Sequence, residues 1–588
     1  MLDEKIKTEI RKQALINAVI HNGKADSKAV IKKLLASFSE FKKVLADETK
    51  RKEVLNIVDE IVKNVNLYSL DEQEKILKDE FNVTIQDLKI EQAKKTREGL
   101  PPLPKVDEFK KVITRFAPAP SGALHIGQIL RAAFINFLYA KEYNGKFIIR
   151  IEDTDPRRVK KPYYDWILED LKDLGIEWDE VVYESDHFEI YYEFTRKLFE
   201  THKAYVCTCS PEEFQKYKEK KKPCPHRETM DKVEYWEKML NGEYREGEAV
   251  VRLKTKMDHP NPAVRDPPLL RIIDSFPHPR TGYKYHVYPL YNFAVVIEDH
   301  ISEITHVIRG KEHQTNEEIQ NEIYSAFGWK PPIFIEYGMI QLPEAKIHKR
   351  HIRSKLREGK LEGWDDVSLP TVRAFLRRGI HPETFKTLSL LVGLSKSDIT
   401  LDYENIYSHN RQILSKIAKR IFFVEDPYTL IIKNTPDKLI AEIDWIPGKP
   451  EAGKRKYILE SINGELTLYV PKDDLSLLES SATRGDIIRL KDLINIVVTS
   501  IDRDNKKIEA KFHSHDVIPG VPKIHWCPSG DLAIAAKILM PDKTVKFGLT
   551  ELLAQELKEG EYVQFERYGF GRVDKNEGEL IVFTFAHK

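Results

Sequence analysis

The spacing of hydrophobic positions changes several times along the 588 residues, and each change marks a different kind of element. Up to about residue 100 the chain is rich in Lys and Glu, with apolar residues three and four apart, as at Val54, Ile57, Val58, Ile61 and Val62. That spacing predicts a small helical domain. The stretch EGLPPLPKVDE, with Pro101, Pro102 and Pro104, cannot continue a helix and reads as a linker. KVITRF (111–116) then predicts a strand and APAPSGALHIG (117–127) a loop, while Ile126, Ile129, Leu130, Ala133, Phe134, Phe137 and Leu138 form a helical stripe. KFIIRIEDTD (146–155) returns as a strand running into carboxylates. Strand, tight loop, helix and strand imply a right-handed βαβ unit of a Rossmann-like sheet, whose ligand belongs beyond the carboxyl ends of the strands.

The alternation breaks from about 205 to 283 into a cysteine cluster, the basic run KYKEKKK and a Pro-rich segment, HPNPAVRDPPLL, which together look like an insertion. Strand-like sequence resumes at YKYHVYPLYNFAVVIEDH, and HVIRGKEH (306–313) closes a further strand. Residues 345–420 are basic and helical in pattern. Beyond 421, TLIIKN, GELTLYV, INIVVTSI and YVQFERYGFGRV are short β-rich runs separated by turn residues, the pattern of β-barrels. The expected fold class is multidomain α/β.

Composition narrows the function. Lys+Arg of 94 against Asp+Glu of 93 gives a net charge of +1, so a nucleic-acid partner would need a local basic surface. Such an excess exists between 345 and 378, where ten Lys/Arg face four acids. No apolar run reaches the ~20 residues of a membrane span, and the N-terminus lacks the pattern of a secretion signal. A cytoplasmic protein with no membrane partner is expected.

Two groups of residues carry chemistry. A βα loop such as RFAPAPSGALHIGQ (115–128) presents helix N-terminal N–H groups to phosphates, with Gly127 allowing close approach and His125 donating to a phosphate oxygen. Cys207-Thr-Cys209, fourteen intervening residues, then Cys224-Pro-His226 make three thiolates and one imidazole. That is a closed ligand set suited to structural Zn²⁺, with reduced, metal-free thiols as the competing reading. Cys527, beside Trp526, reads as a core thiol.

RFAPAPSG, HIGQ, RIEDTDP, THVIRGKEH, GWDD and RRGI occur in the order in which they stand in class I aminoacyl-tRNA synthetases, and the chain resembles the glutamyl/glutaminyl branch of that family from about residue 111 to its end. KIHWCPSGDLAIAAKIL and VQFERYGFGRVD resemble the β-barrel anticodon-binding region of the archaeal and eukaryotic type. After the N-terminal helical domain read from the apolar spacing, bounded at 1–105, the resemblance implies 106–204 and 284–344 as the two halves of the Rossmann catalytic domain and 205–283 as an inserted zinc-containing domain for the tRNA acceptor end. A signature-lysine loop with helical connecting domain (345–420) and an anticodon-binding region (421–588) follow.

The implied activity is ATP-dependent attachment of L-glutamate to tRNA-Glu, with tRNA-Gln as a further acceptor, through a glutamyl-adenylate. The implied cofactors are Mg²⁺ with ATP and a structural Zn²⁺, and the implied state is a monomer. Both family signatures depart from their usual form. HIGQ replaces His-Ile-Gly-His, and the register of the second signature gives Lys346, Ile347, His348, Lys349 and Arg350 rather than GLSKS at 393–397. The resemblance places ATP against Ala117, Pro118, His125, Gly127, Gln128, His348 and Lys349, with His125, Gln128, Lys349 and Arg350 as the catalytic set. It places glutamate against Arg115, Ala117, Glu152, Tyr291 and Arg309, with Glu152 on the α-ammonium and the arginines on carboxylates. Ala119 stands where many glutamyl enzymes have serine.

Glutaminyl relatives have a small uncharged residue at the position of Arg309, and a desolvated guanidinium favours glutamate over its amide. A salt bridge from Arg309 to Glu298 or Asp299 is the competing reading. A glutaminyl enzyme, a catalytically dead tRNA-binding paralogue and a shorter paralogue that glutamylates an anticodon base are the alternative functions.

Overall fold

The structure is a computed structural model and describes residues 4–20, 23–46, 48–81, 83, 100–343 and 349–588. The chain divides into two units, Met1–Gly99 and Leu100–Lys588. The first holds helices Glu4–Ile20, Ser27–Ser37, Ser39–Ala46, Glu48–Val65 and Leu70–Phe81. Val54, Val58 and Val62 are buried with Ile10, Leu34 and Leu77, as the four-residue spacing requires. Gln73 is buried among them and donates to the carbonyls of Gly23, Val65 and Tyr68, which ties the turns together.

The second unit is built on parallel strands. Ile113–Phe116 pairs with Lys146–Ile151, which pairs with Glu180–Tyr183. His306–Gly310 pairs with Ile333–Tyr337. The two ladders meet where Thr305 N donates to Ile113 O at 3.0 Å and Ile113 N donates to Thr305 Oγ1 at 2.9 Å. The spatial order, with the first strand between the second and a later one, creates a switch point beyond the carboxyl ends of Ile113–Phe116 and His306–Gly310.

The Pro-rich segment before this sheet differs from a spacer. Leu100 and Leu103 are buried against Tyr139 and Ile308, Tyr139 Oη donates to Pro101 O at 2.7 Å, and Tyr143 Oη accepts from Leu103 N at 3.1 Å. Proline fixes an extended backbone in a strap as well as in a linker. The two leucines decide which it is.

Between the halves of the parallel sheet, Ala204–Cys207, Val250–Leu253, Pro268–Ile272 and Val287–Pro289 form an antiparallel sheet in sequence order. Helices Lys349–Arg357, Val372–Arg378, Pro382–Val392 and Tyr403–Ile417 follow.

Two seven-stranded sheets complete the chain, and in each the two edge strands are neighbours in sequence. Lys419–Ile421 and Phe423–Glu425 edge one, while Lys523–Ile524 and Cys527–Pro528 edge the other, so each sheet curves round on itself as a barrel does. All strands from Tyr428 to Pro528 lie between the first two and the last five strands of the former sheet, so one barrel is inserted within the other. Cys527 is a buried thiol, pushed well up by burial.

Candidate active site

A cleft of about 360 Å³ lies at the switch point. Its walls include Arg115, Phe116 and Ala117 at the end of one strand, Glu152 just beyond another, Ile308, Arg309 and Gly310, and Tyr291 at the start of helix Tyr291–Ile301. His125, Gly127 and Gln128 form the opposite lip. Eight residues singled out from sequence, Arg115, Ala117, His125, Gly127, Gln128, Glu152, Tyr291 and Arg309, therefore share one cavity. Pro118 is not part of the lining; its carbonyl accepts from Glu152 N at 3.1 Å and so fixes the loop to the second strand.

The loop before His125 is held from several sides. Pro120 O accepts from Lys160 N at 3.1 Å, and Leu124 O accepts from Val372 N at 2.9 Å. Gly122 has φ +143°, and a Cβ there would lie 2.5 Å from the Trp364 ring. The GWDD block thus supplies the indole that packs under the loop. Only glycine fits that approach.

His125 and Gln128 cap the following helix reciprocally. Gln128 N donates to His125 Nδ1 at 3.4 Å, and Gln128 Oε1 accepts from His125 N at 3.3 Å. This is the arrangement of a capping box, with imidazole and amide in place of hydroxyl and carboxylate. With Nδ1 accepting, the imidazole proton sits on Nε2. The amide group of Gln128 likewise keeps its N–H donors for a ligand. A Cβ on Gly127 would come within 3.3 Å of Nδ1, so a larger residue here would press the imidazole out of this position by a few tenths of an ångström. The first turn, Gln128–Ala133, is π-helical, an irregularity that concentrates at functional sites.

The floor of the cleft is charged and buried. Asp299 Oδ1 accepts from Arg115 Nε at 3.1 Å and from Arg150 Nη1 at 2.5 Å. Burial pushes the Asp299 carboxyl up, but the two guanidinium groups outweigh it and hold it below the usual range. Glu152 is raised, because burial outweighs Arg150 and Arg115. A bound ammonium group would supply the missing positive charge.

Arg309 pairs with neither Glu298 nor Asp299. Glu298 accepts from Tyr191 Oη at 2.6 Å and contacts His187, and Asp299 serves the other two arginines. Arg309 instead donates from Nη1 to Gln320 Oε1 at 2.7 Å, and its Nε and Nη2 are buried without a hydrogen-bond partner. Tyr291 Oη, its proton retained because burial raises its pKa, donates to His313 Nδ1 at 3.2 Å. His313 is lowered first by burial and then by Arg309, so it accepts as the neutral imidazole.

Gln320, Asn292, Asn316 and His313 were missed from sequence. Gln320 lies on the buried stripe Ile319, Ile323 and Tyr324 of helix Gln314–Phe327, and a polar residue on an apolar face was the available signal.

Lys346 and His348 lie outside the described residues. The described helix Lys349–Arg357 contains the expected lysine, and the side chains of Lys349 and Arg350 are also outside the description. GLSKS packs beside strand Ile340–Gln341, where Gly338 N donates to Ser395 O at 2.8 Å and Ile340 pairs with Ile399. The basic excess of 345–378 is only partly a surface. Arg373 pairs with Asp170, Arg377 pairs with Asp574, and Arg378 is buried against Tyr407.

Ligand atoms of Cys207, Cys209, Cys224 and His226 all lie within 4.8 Å of one another. Cys207 Sγ and Cys224 Sγ are 3.9 Å apart, and Cys209 Sγ is 3.3 Å from His226 Nδ1. A tetrahedral Zn²⁺ with Zn–S of ~2.3 Å and Zn–N of ~2.0 Å has edges of about 3.5–3.8 Å, so the donor set and its spacing fit the ion. Outside the ligands, Thr208 Oγ1 meets His226 Nε2 at 3.1 Å, and Tyr205 Oη bridges Cys224 Sγ to Asp266. Such partners orient ligating side chains.

The family model for the catalytic domain of class I tRNA synthetases (E and Q) matches residues 111–416. Two models for the anti-codon binding domain of the same enzymes match 418–515 and 523–574. A glutamate–tRNA ligase of Pyrococcus furiosus is 46% identical over 98% of this chain and 99% of its own length. Glutamate–tRNA ligases of Thermococcus kodakarensis and Methanocaldococcus jannaschii are 44% and 42% identical, covering 100% and 98% of this chain and 100% and 99% of their own lengths.

Proposed function

Because the chain belongs to the class I tRNA synthetases of the glutamate and glutamine type, we propose that it attaches L-glutamate to tRNA-Glu, and also to tRNA-Gln, at the expense of ATP. The α-carboxylate of glutamate attacks the α-phosphate; the new O–P bond forms as the bond to the bridging oxygen breaks and pyrophosphate leaves. A terminal ribose hydroxyl of the tRNA then attacks the acyl carbon and releases AMP. Neither step needs a protein nucleophile, so the chain contributes position and charge.

His125 Nε2–H, the Gln128 amide and the helix N-terminus stabilise charge on the phosphates, with Gly127 and Ala117 letting the nucleotide approach. Lys349 and Arg350 neutralise pyrophosphate as it departs, with His348 beside them. Arg115, Glu152, Tyr291 and Arg309 hold the amino acid, Glu152 on its ammonium group. Mg²⁺ accompanies ATP. The Cys207, Cys209, Cys224 and His226 set would hold Zn²⁺ and stiffen the inserted sheet that grips the acceptor end. No described helix is long and apolar enough to cross a membrane. We place the enzyme, as a monomer, in the cytoplasm.

The observation that carries the amino-acid assignment is Arg309, 5% exposed at the cleft wall with no carboxylate of the described residues hydrogen-bonded to it. Its only carboxylate within 4.0 Å among the described residues is Glu317, at that limit. A substrate carboxylate in the cleft would meet a guanidinium that no described carboxylate hydrogen-bonds. Aminoacylation of purified tRNA-Glu and tRNA-Gln with radiolabelled glutamate, beside the same assay with glutamine, tests the reading. Charging with glutamate supports it, and charging with glutamine alone overturns it.

A further inference from the structure

The guanidinium of Arg309 is the head of a hydrogen-bonded chain. Arg309 Nη1 donates to Gln320 Oε1 at 2.7 Å, Gln320 Nε2 to Asn292 Oδ1 at 3.1 Å, and Asn292 Nδ2 to Asn316 Oδ1 at 3.2 Å. Asn316 Nδ2 lies 3.1 Å from His313 Nδ1 and shares that nitrogen's one lone pair with Tyr291 Oη at 3.2 Å. Arginine has no acceptor and the neutral imidazole offers a lone pair, so the chain can run in only one direction. Every amide orientation is fixed by its two ends. Gln320, 0% exposed, therefore presents oxygen to Arg309.

A buried guanidinium is ordinarily matched by a carboxylate. This protein does so with Asp299 against Arg150 and Glu551 against Arg455, whereas Arg131 and Arg378 are buried against backbone carbonyls and a tyrosine hydroxyl. At Arg309 the close partner is an amide of the same length as glutamate's side chain. An amide fixes the geometry of the guanidinium without cancelling its charge.

We propose that Gln320 is a positioning residue for amino-acid binding: it orients Arg309 through a neutral acceptor, so that the positive charge remains for a substrate carboxylate. The inference rests on the proposed function, because it needs an acidic amino acid in the cleft.

The test compares Gln320→Glu with Gln320→Met in glutamate-dependent aminoacylation of tRNA-Glu. Both replacements remove the amide and have similar length, but only one adds charge. Gln320→Glu should raise the KM for glutamate ~100-fold with kcat changed less than about threefold, since the new carboxylate takes the guanidinium. Gln320→Met should raise KM about tenfold or less, because the charge survives and one hydrogen bond is lost. A purely structural role would move both variants alike, and KM values within about threefold of each other would overturn the proposal.

If Gln320→Glu does not fold, Asn292→Asp places the charge one link further away and should raise KM about tenfold over Asn292→Ala; equal values overturn the proposal. Failure of the wild-type chain to charge any tRNA with glutamate would instead sink the functional reading, so the two failures are distinguishable.

Discussion

Asp299 Oδ1 accepts a hydrogen bond from Arg115 Nε at 3.1 Å, although 184 positions separate the two residues in sequence. The contact uses Nε of a side chain that also lines the cleft. Asp299→Asn keeps an oxygen acceptor but removes the charge that balances Arg115 and Arg150. Loss of that charge should destabilise the unit by about 3 kcal/mol and raise the KM for glutamate about tenfold. Thermal unfolding and aminoacylation kinetics check it; an unchanged midpoint with an unchanged KM would remove Asp299 from the argument.

Arg309→Cys should lower kcat/KM for glutamate ~100-fold or more, through KM, and reduce the preference for glutamate over glutamine. The ratio of the two kcat/KM values is the measurement. A ratio equal to that of the wild type would refute selection by this guanidinium.

The reciprocal cap predicts a split effect for Gln128. Gln128→Ala should cost about 1 kcal/mol of stability through the lost cap and lower kcat ~10- to 100-fold, with glutamate KM unchanged. Gln128→His, which restores a donor, should recover most of kcat. Pyrophosphate exchange in the presence of tRNA reads this directly, and full exchange by the alanine variant would show that the amide does not meet the phosphates.

Zinc should co-purify at about one ion per chain, matching the four-ligand set. Cys224→Ser should lose the metal and raise the KM for tRNA while leaving glutamate KM near the wild-type value. Metal analysis by mass spectrometry, together with thermal melts before and after chelation, decides the matter. A zinc-free preparation that melts at the same temperature would show that the thiols need no ion.

Acid should loosen the seat of the last strand. His587 accepts from Asn410 Nδ2 at 2.9 Å, and burial, opposed by a hydrogen bond to Lys588 O, lowers its pKa from 6.5 to about 4. The unfolded chain therefore binds this proton first as pH falls. Stability is fully present above pH ~6.5, is lost progressively down to about pH 4, and the total loss is about 3 kcal/mol. His587→Gln keeps an acceptor for Asn410 without the titration. Its midpoint should fall less between pH 7 and 4.5 than that of the wild type, and equal falls would exclude His587 as a source.

The parts of the site that were legible in sequence are those held by neighbours in sequence. Gly127, His125 and Gln128 stand within one loop and helix start, and Arg115, Glu152 and Arg309 sit at strand ends whose apolar runs are plain. The charge balance of the site was not legible, because it is set between elements. Nothing near Arg309 in sequence shows that its partner is Gln320 on the next helix, or that Asn292 continues the chain from another. The same limit explains the Pro-rich strap, where burial of Leu100 and Leu103 depends on Tyr139 and Ile308. It also explains the basic run, where Arg373 and Arg377 are consumed by Asp170 and Asp574.

The nesting of one barrel inside the other sets a timetable for synthesis. Strands Lys419–Ile421 and Phe423–Glu425 leave the ribosome before the whole inserted barrel, yet their ladder partners, Tyr562–Phe565 and Val545–Glu551, come after it. At ~5–20 residues per second, roughly 120–140 intervening residues keep those two strands waiting for about 6–28 s. The inner barrel has all its strands available during that interval and can close first. The outer barrel is then a late assembly, and the nascent chain carries two unpaired edges until its final segments emerge.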